Sequence, residues 1–192
     1  VPRLPHETKG VIMAVMVTTH SLTRADLDAL PDDGLRHELI DGHFVMTPAP
    51  GSNHQTISGA LYRRLWSALQ GTGLKVLTAP FDVILGPHVV EPDLIVAPES
   101  DITSDVLPVP PLLVIEILSP STAYLDRGRK RDIYADAGIP HYWIVDPSAP
   151  ALTVYALTDG TYAETAHASG EQILTVEQPV VLRLTPTDLL RG

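Results

Sequence analysis

The sequence predicts a single α/β domain whose core runs helix, three strands, helix, strand, with an extra N-terminal hairpin and additional C-terminal β strands. Three observations carry this. Residues 53–70 repeat apolar side chains at helical spacing, Leu112–Leu118 is an almost unbroken apolar run, and a second helical stretch at 123–137 leads into a β-prone run at 141–145.

In chain order, residues 1–20 read as a tag remnant or a disordered N-terminus. The opening Val1-Pro2-Arg3 resembles what a protease leaves behind, and the apolar stretch 11–17 lacks the basic leader of a signal peptide. Residues 21–192 are expected to form one domain. Ser21–Leu30 reads as a short capped helix stopped by Pro31. Arg36–Met46 reads as a hairpin, because Asp41-Gly42 separates two short β-prone runs.

Ile57, Ala60, Leu61, Leu65 and Leu69 mark the first core helix, ended by Gly71 and Gly73. Strands are expected at Lys75–Ala79, Phe81–Leu85 and Val89–Val96. Pro92 inside the last of these argues for an edge, a bulge or a strand start. Residues 98–111 read as a long loop. Leu112–Leu118 has the pattern of a strand buried on both faces. A Ser119–Thr122 turn opens one helix over Ala123–Ala137, closed by Gly138 and Pro140, and His141–Val145 follows as a strand, giving a parallel crossover. Beyond Leu152 the chain reads as a β meander turning at Asp159-Gly160.

Composition narrows the function. The length of 192 residues suits one domain with a real core, and the absence of cysteine excludes disulfides, zinc–thiolate sites, iron–sulfur clusters and thiol nucleophiles. It fits a reducing, cytoplasmic setting. No apolar run is long enough to span a bilayer. A net charge of −10 argues against a protein that coats nucleic acid through general basicity, but not against an acidic pocket that holds divalent cations. Neither a G-x-S-x-G elbow nor a G-x-x-x-x-G-K phosphate loop is present.

Three residues stand out. Glu116 interrupts the apolar strand between Ile115 and Ile117, where an unpaired carboxylate costs several kcal/mol. It is expected to be ion-paired, to reach solvent at an edge, or to bind metal. Asp93 opens the apolar run Leu94–Val96, so two acids on neighbouring strands can converge on one cation; a turn acid capping a backbone N–H near Pro92 is the plainer alternative. Lys130 lies in a charged helix but shares a face with Ile133, Tyr134 and Ala137, whereas Arg129, Asp132 and Asp136 share the opposite one. It is therefore expected to point at the sheet, as a partner for Glu116 or as a snorkelling stem.

Together these features resemble the PD-(D/E)XK restriction-endonuclease-like superfamily, and within it a bacterial branch of uncharacterised restriction-endonuclease-like proteins. The residues that carry the resemblance are Glu38-Leu-Ile-Asp-Gly42, His54, Pro92-Asp93, Glu116-Ile-Leu-Ser-Pro-Ser-Thr122, Lys130 with Tyr134, and Tyr142-Trp-Ile-Val-Asp-Pro147. The superfamily places lysine two residues after the glutamate; here that position is Leu118, and Lys130 is the candidate replacement. The resemblance implies metal-dependent hydrolysis of DNA phosphodiester bonds. Asp93 and Glu116, with the Ile117 carbonyl, would hold Mg²⁺ or Mn²⁺, and Lys130 would act on the water or the phosphate. Glu38 and His54 are expected either to complete the pocket or to play local roles, as an exposed hairpin acid and a helix-start residue. DNA is the expected partner and a homodimer is left open. Two other readings compete: a catalytically degenerate interaction module of the same fold, and a structural oligomer with Glu116 in a buried ion pair.

Overall fold

The computed structural model describes residues 21–31 and 33–191, together with the backbone of a short strand β1 (Ala14–Val15). β1 pairs with β3 (His43–Thr47); the other residues of the 1–20 segment lie outside the described residues.

Helix α1 (Arg24–Asp28) starts in a capping box. The Asp26 N–H donates to the Thr23 side chain while the Asp26 carboxylate accepts from the Thr23 N–H. Strand β2 (Arg36–Ile40) then pairs antiparallel with β3 across Asp41-Gly42, both at positive φ, which matches the twist that a two-residue hairpin needs. A Cβ at Gly42 would come within 2.8 Å of Ser21, so glycine is also required for close approach.

Helix α2 (Ser52–Ala68) buries Ile57, Ala60, Leu61 and Leu65 along one stripe. β4 (Leu74–Thr78), β5 (Asp82–Leu85), β6 (His88–Val90) and β7 (Leu94–Pro98) follow. The strand expected over Val89–Val96 is thus two strands, split at Glu91-Pro92-Asp93 because Pro92 has no N–H to donate to a ladder. The loop expected over 98–111 contains a 3-10 turn and a short strand, β8 (Val106–Leu107).

β9 (Leu113–Ile117) is buried along its whole length and runs parallel to β10 (His141–Asp146). The connection is not one helix, as expected, but two: α3 (Ala123–Arg127) and α4 (Arg129–Asp136) break at Gly128, whose φ of −119° and ψ of −102° are not helical. A Cβ there would stand 2.9 Å from the Tyr124 carbonyl. β11 (Ala151–Thr158), β12 (Thr161–Ser169), β13 (Leu174–Val176), β14 (Leu182–Leu184) and α5 (Pro186–Arg191) complete the chain.

The described strands form two six-stranded sheets and one small pair. The core sheet has the order β12-β11-β10-β9-β7-β4; the second has β1-β3-β2-β6-β5-β8; β13 pairs with β14. The helix–three strands–helix–strand core is α2, then β4, β7 and β9, then α3 and α4, then β10, while β5 and β6 join the hairpin in the second sheet. One face of the core sheet packs on α2, α5 and the small pair through residues such as Leu61, Ile115 and Leu189. The other packs on α4 and the second sheet through Val114, Tyr134, Tyr142 and Val90. Leu27 of α1 covers the far side of the second sheet with Leu39, Phe44 and Val89. No helix among the described residues is long and apolar enough to cross a membrane.

Candidate active site

Strand alternation selects which side chains meet between the two sheets. Along β9, Leu113, Ile115 and Ile117 face α2, whereas Val114, Glu116 and Leu118 face α4. Along β2, Leu39 faces α1 while Ile40 faces the core sheet, so Arg36 and Glu38 point the same way as Ile40. Asp93 directly precedes Leu94, which pairs with Ile115, and this sets Asp93 across from Glu116. α4 brings Lys130 over that face, and the first turn of α2 brings His54 to its rim. Arg36, Glu38, His54, Asp93, Glu116 and Lys130 line one cavity of about 200 Å³. A wider groove of about 630 Å³ shares Gly51, His54, Ser119 and Pro120 with it.

The side chains form two linked clusters. Lys130 Nζ lies 2.8 Å from Glu38 Oε1, 3.1 Å from Glu116 Oε1 and 3.7 Å from Asp126 Oδ1. The Tyr134 hydroxyl donates to Glu116 Oε1 at 2.6 Å, and the Glu91 N–H donates to Glu38 Oε1 at 2.9 Å. In the second cluster, both terminal nitrogens of Arg36 donate to Asp93 Oδ1 at 3.1 Å while its Nε reaches Glu91 at 2.8 Å. Asp93 Oδ2 accepts from the Ile117 N–H at 2.7 Å and pairs with His54 Nε2 at 2.9 Å. An ionised carboxylate only accepts, so His54 carries a proton on Nε2.

Burial and charge pull against each other here. Burial pushes Glu116 up to about 8 despite the opposing pull of Lys130, with Asp126, Asp93 and Glu38 adding repulsion. Burial likewise raises Glu91 to about 7 and Asp126 to about 6. For Asp93 burial also favours the proton, but the His54 hydrogen bond, Arg36 and the Ile117 N–H outweigh it and hold the group below the ordinary carboxylate range. Burial acts to discharge Lys130; Glu116, Glu38 and Asp126 overcome it and keep the ammonium charged.

The donor set suits a hard divalent cation. Five carboxylates, those of Glu38, Glu91, Asp93, Glu116 and Asp126, share two permanent cations, Arg36 and Lys130. An excess of buried oxygen donors of this kind is one that a hard divalent cation such as Mg²⁺ or Mn²⁺ could neutralise. Both hydrogen bonds to Glu116 fall on Oε1. Asp93 is more committed: Arg36, His54 and Ile117 occupy its roughly four acceptor positions, so a cation would have to displace one of them. Among the described residues no three such side chains already stand grouped around a metal position.

All five residues singled out in the sequence meet in this cavity. Glu38 is only 2% exposed, so it is not a solvent-facing hairpin acid, and His54 bonds Asp93 rather than its own turn. Leu118 faces the same way as Glu116 but is part of the apolar cluster, and the ammonium arrives from α4 instead. Sequence reasoning missed Asp126, Arg36 and Glu91. Asp126 had a signal, since it lies four residues before Lys130 and so shares its helical face; Arg36 had one in its alternation with Glu38.

A family model described as "Uma2: Putative restriction endonuclease" matches residues 24–187. A solved structure similar in fold is the crystal structure of a putative nuclease belonging to DUF820 from Anabaena variabilis. It has a TM-score of 0.74 and 21% identity, over 88% of this chain and 98% of that one. No curated protein matches.

Proposed function

The chain belongs to the Uma2 family, and from that premise we propose that it is a metal-dependent endonuclease hydrolysing phosphodiester bonds of DNA, with Asp93, Glu116 and Lys130 at its catalytic centre. The observation that carries the reading is the position of Lys130. It supplies a buried, charged ammonium 3.1 Å from Glu116, although the motif position two residues after that glutamate is leucine.

Asp93 and Glu116 would hold Mg²⁺ or Mn²⁺, which when bound lowers the pKa of a water and offsets charge on the phosphate. The protein's own groups act around that centre. Lys130 offers a fixed positive charge to the phosphate oxygens or orients the attacking water. Glu38 and Asp126 hold its ammonium in place, at 2.8 and 3.7 Å. His54 orients Asp93 through Oδ2, and Tyr134 fixes the rotation of Glu116 through Oε1.

One observation favours a second reading, a degenerate member of the fold that binds without cleaving: the acceptor positions of Asp93 are already filled. Calorimetric titration of Mg²⁺ and Mn²⁺ into the wild type and Asp93→Ala, paired with cleavage assays on duplex DNA, separates the two. Metal binding that depends on Asp93, with metal-dependent cleavage, supports the nuclease. Absence of both at millimolar metal, with DNA present, leaves the degenerate module.

A further inference from the structure

We propose that a surface cleft between α2 and β14, built by Arg63, Arg64 and Arg183, holds a backbone phosphate of the DNA away from the reacting one. The inference rests on the nuclease reading for the identity of its ligand.

The first observation concerns pairing. Every other described arginine and lysine has a partner: Arg24 with Asp28, Arg36 with Glu91 and Asp93, Lys75 with Glu99, Arg127 with Asp146, Arg129 with Asp41, Lys130 with its three acids, and Arg191 with Glu171. Arg131 donates to the Tyr162 carbonyl and covers the Tyr155 ring. Among the described arginines and lysines, only Arg63, Arg64 and Arg183 make no ion pair, hydrogen bond or ring contact. All three line the same cleft of about 450 Å³, with Ser67, Ala68 and Leu182, and no carboxylate lines it.

The second observation is how the cleft is built. Arg63, Arg64, Ser67 and Ala68 sit at i, i+1, i+4 and i+5, one face of α2. On β14, Leu182 and Leu184 are buried while Arg183, between them, projects outward. Arg64 is half-buried, and its Nε is shielded from solvent without an acceptor. A desolvated, unsatisfied guanidinium nitrogen is costly unless a ligand supplies the missing oxygen. Phosphate does so in the forked geometry that arginine favours.

The third is electrostatic. The chain carries a net charge of −10, so a polyanion is repelled by most of its surface. Three unneutralised guanidinium groups make this cleft a place where that sign reverses. Arg64 lies ten residues beyond His54 on α2, about 15 Å along the axis at 1.5 Å per residue.

The test is binding of a fluorescent 20-base-pair duplex in EDTA over a range of salt. The proteins are wild type, Arg63→Gln/Arg183→Gln (both exposed), Arg64→Gln, and Glu116→Gln. The site predicts salt-dependent binding by wild type, weakened about tenfold in the double variant. The slope of log K against log salt should become shallower by about 0.9 for each phosphate no longer neutralised. Glu116→Gln, which keeps all three arginines, should bind while losing cleavage. Unchanged affinity and slope in the arginine variants overturns the proposal, as does a dimer that dissociates in those variants while DNA binding is unaffected. Arginine-dependent binding without cleavage at any divalent metal would sink the nuclease reading and leave this site standing. Cleavage indifferent to the arginines would do the reverse.

Discussion

Lys130 Nζ stands 3.1 Å from Glu116 Oε1 although a turn, a short helix and the break at Gly128 separate the two residues along the chain. After the break α4 presents Lys130, Ile133 and Tyr134 together to the face of β9 that carries Glu116.

Replacing Lys130 with Met leaves Glu38, Glu116 and Asp126 buried without their shared cation. Removing one partner of a buried pair costs about 3–5 kcal/mol. The cost should depend on pH with a definite sign. Burial already raises Asp126 to about 6 and Glu116 to about 8 against the pull of Lys130; without Lys130 both rise further, so the variant loses additional stability as pH rises above about 6. Urea unfolding should show a deficit of about 3 kcal/mol at pH 8 and a clearly smaller one at pH 5. Equal deficits at both would mean that Lys130 does not hold down the raised values of Asp126 and Glu116.

Glu116→Gln keeps volume and one acceptor for Lys130 and Tyr134 while removing the charge. Cleavage should fall at least 100-fold with the far-UV circular dichroism spectrum unchanged. Loss of folding in both Glu116→Gln and Glu116→Ala would indicate that Glu116 serves only as the structural counter-ion of Lys130.

Much of this site was legible because burial leaves a mark on a sequence. Glu116 stands out as a charge inside Leu112–Leu118, and Lys130 stands out by sharing a helical face with Ile133 and Tyr134. Helix α2 and strand β9 follow from their apolar spacing alone. What stayed hidden depends on groups far apart in the chain. Arg36 meets Asp93 across 57 residues: its alternation with Glu38 sets the face it occupies, but nothing local names Asp93 as its partner. Asp126 was masked by the basic residues around it. The split at Gly128 interrupts a pattern that remains helical on both sides, and it is set by a single backbone conformation. The second sheet required β6 to find β2 through one register pair, Leu39 with Val89, a pairing that strand propensity cannot foresee.

Arg129 donates to the Asp41 carboxylate through two nitrogens and ties the hairpin turn to the start of α4. That hydrogen bond holds Asp41 below its ordinary value. The pair is exposed, so Arg129→Ala should cost no more than about 1 kcal/mol at neutral pH. Asp41 has a depressed folded-state pKa, so the contribution is present above the ordinary carboxylate value of about 4 and fades as pH falls through the lower folded-state value. Thermal melts of wild type and Arg129→Ala should therefore converge at acid pH and with added salt. A difference that persists in 1 M salt would mean that Arg129 acts through packing rather than charge.

Arg36 gives the sharpest handle on the proposed metal. It occupies Oδ1 of Asp93 with both terminal nitrogens, so a cation approaching that oxygen competes with a guanidinium for the same lone pairs. Arg36→Gln removes the competitor and one positive charge beside the site, while His54 and Ile117 continue to hold Oδ2. If Asp93 is a ligand, Mg²⁺ or Mn²⁺ should bind the variant about tenfold more tightly, about 1.4 kcal/mol, comparable to one hydrogen bond to a charged group. Calorimetry on the variant, after a melt confirms that it folds, reads this directly. Unchanged or weaker affinity would mean that Arg36 and the metal do not compete, and Asp93 would then be the counter-ion of Arg36 and His54 rather than a metal ligand.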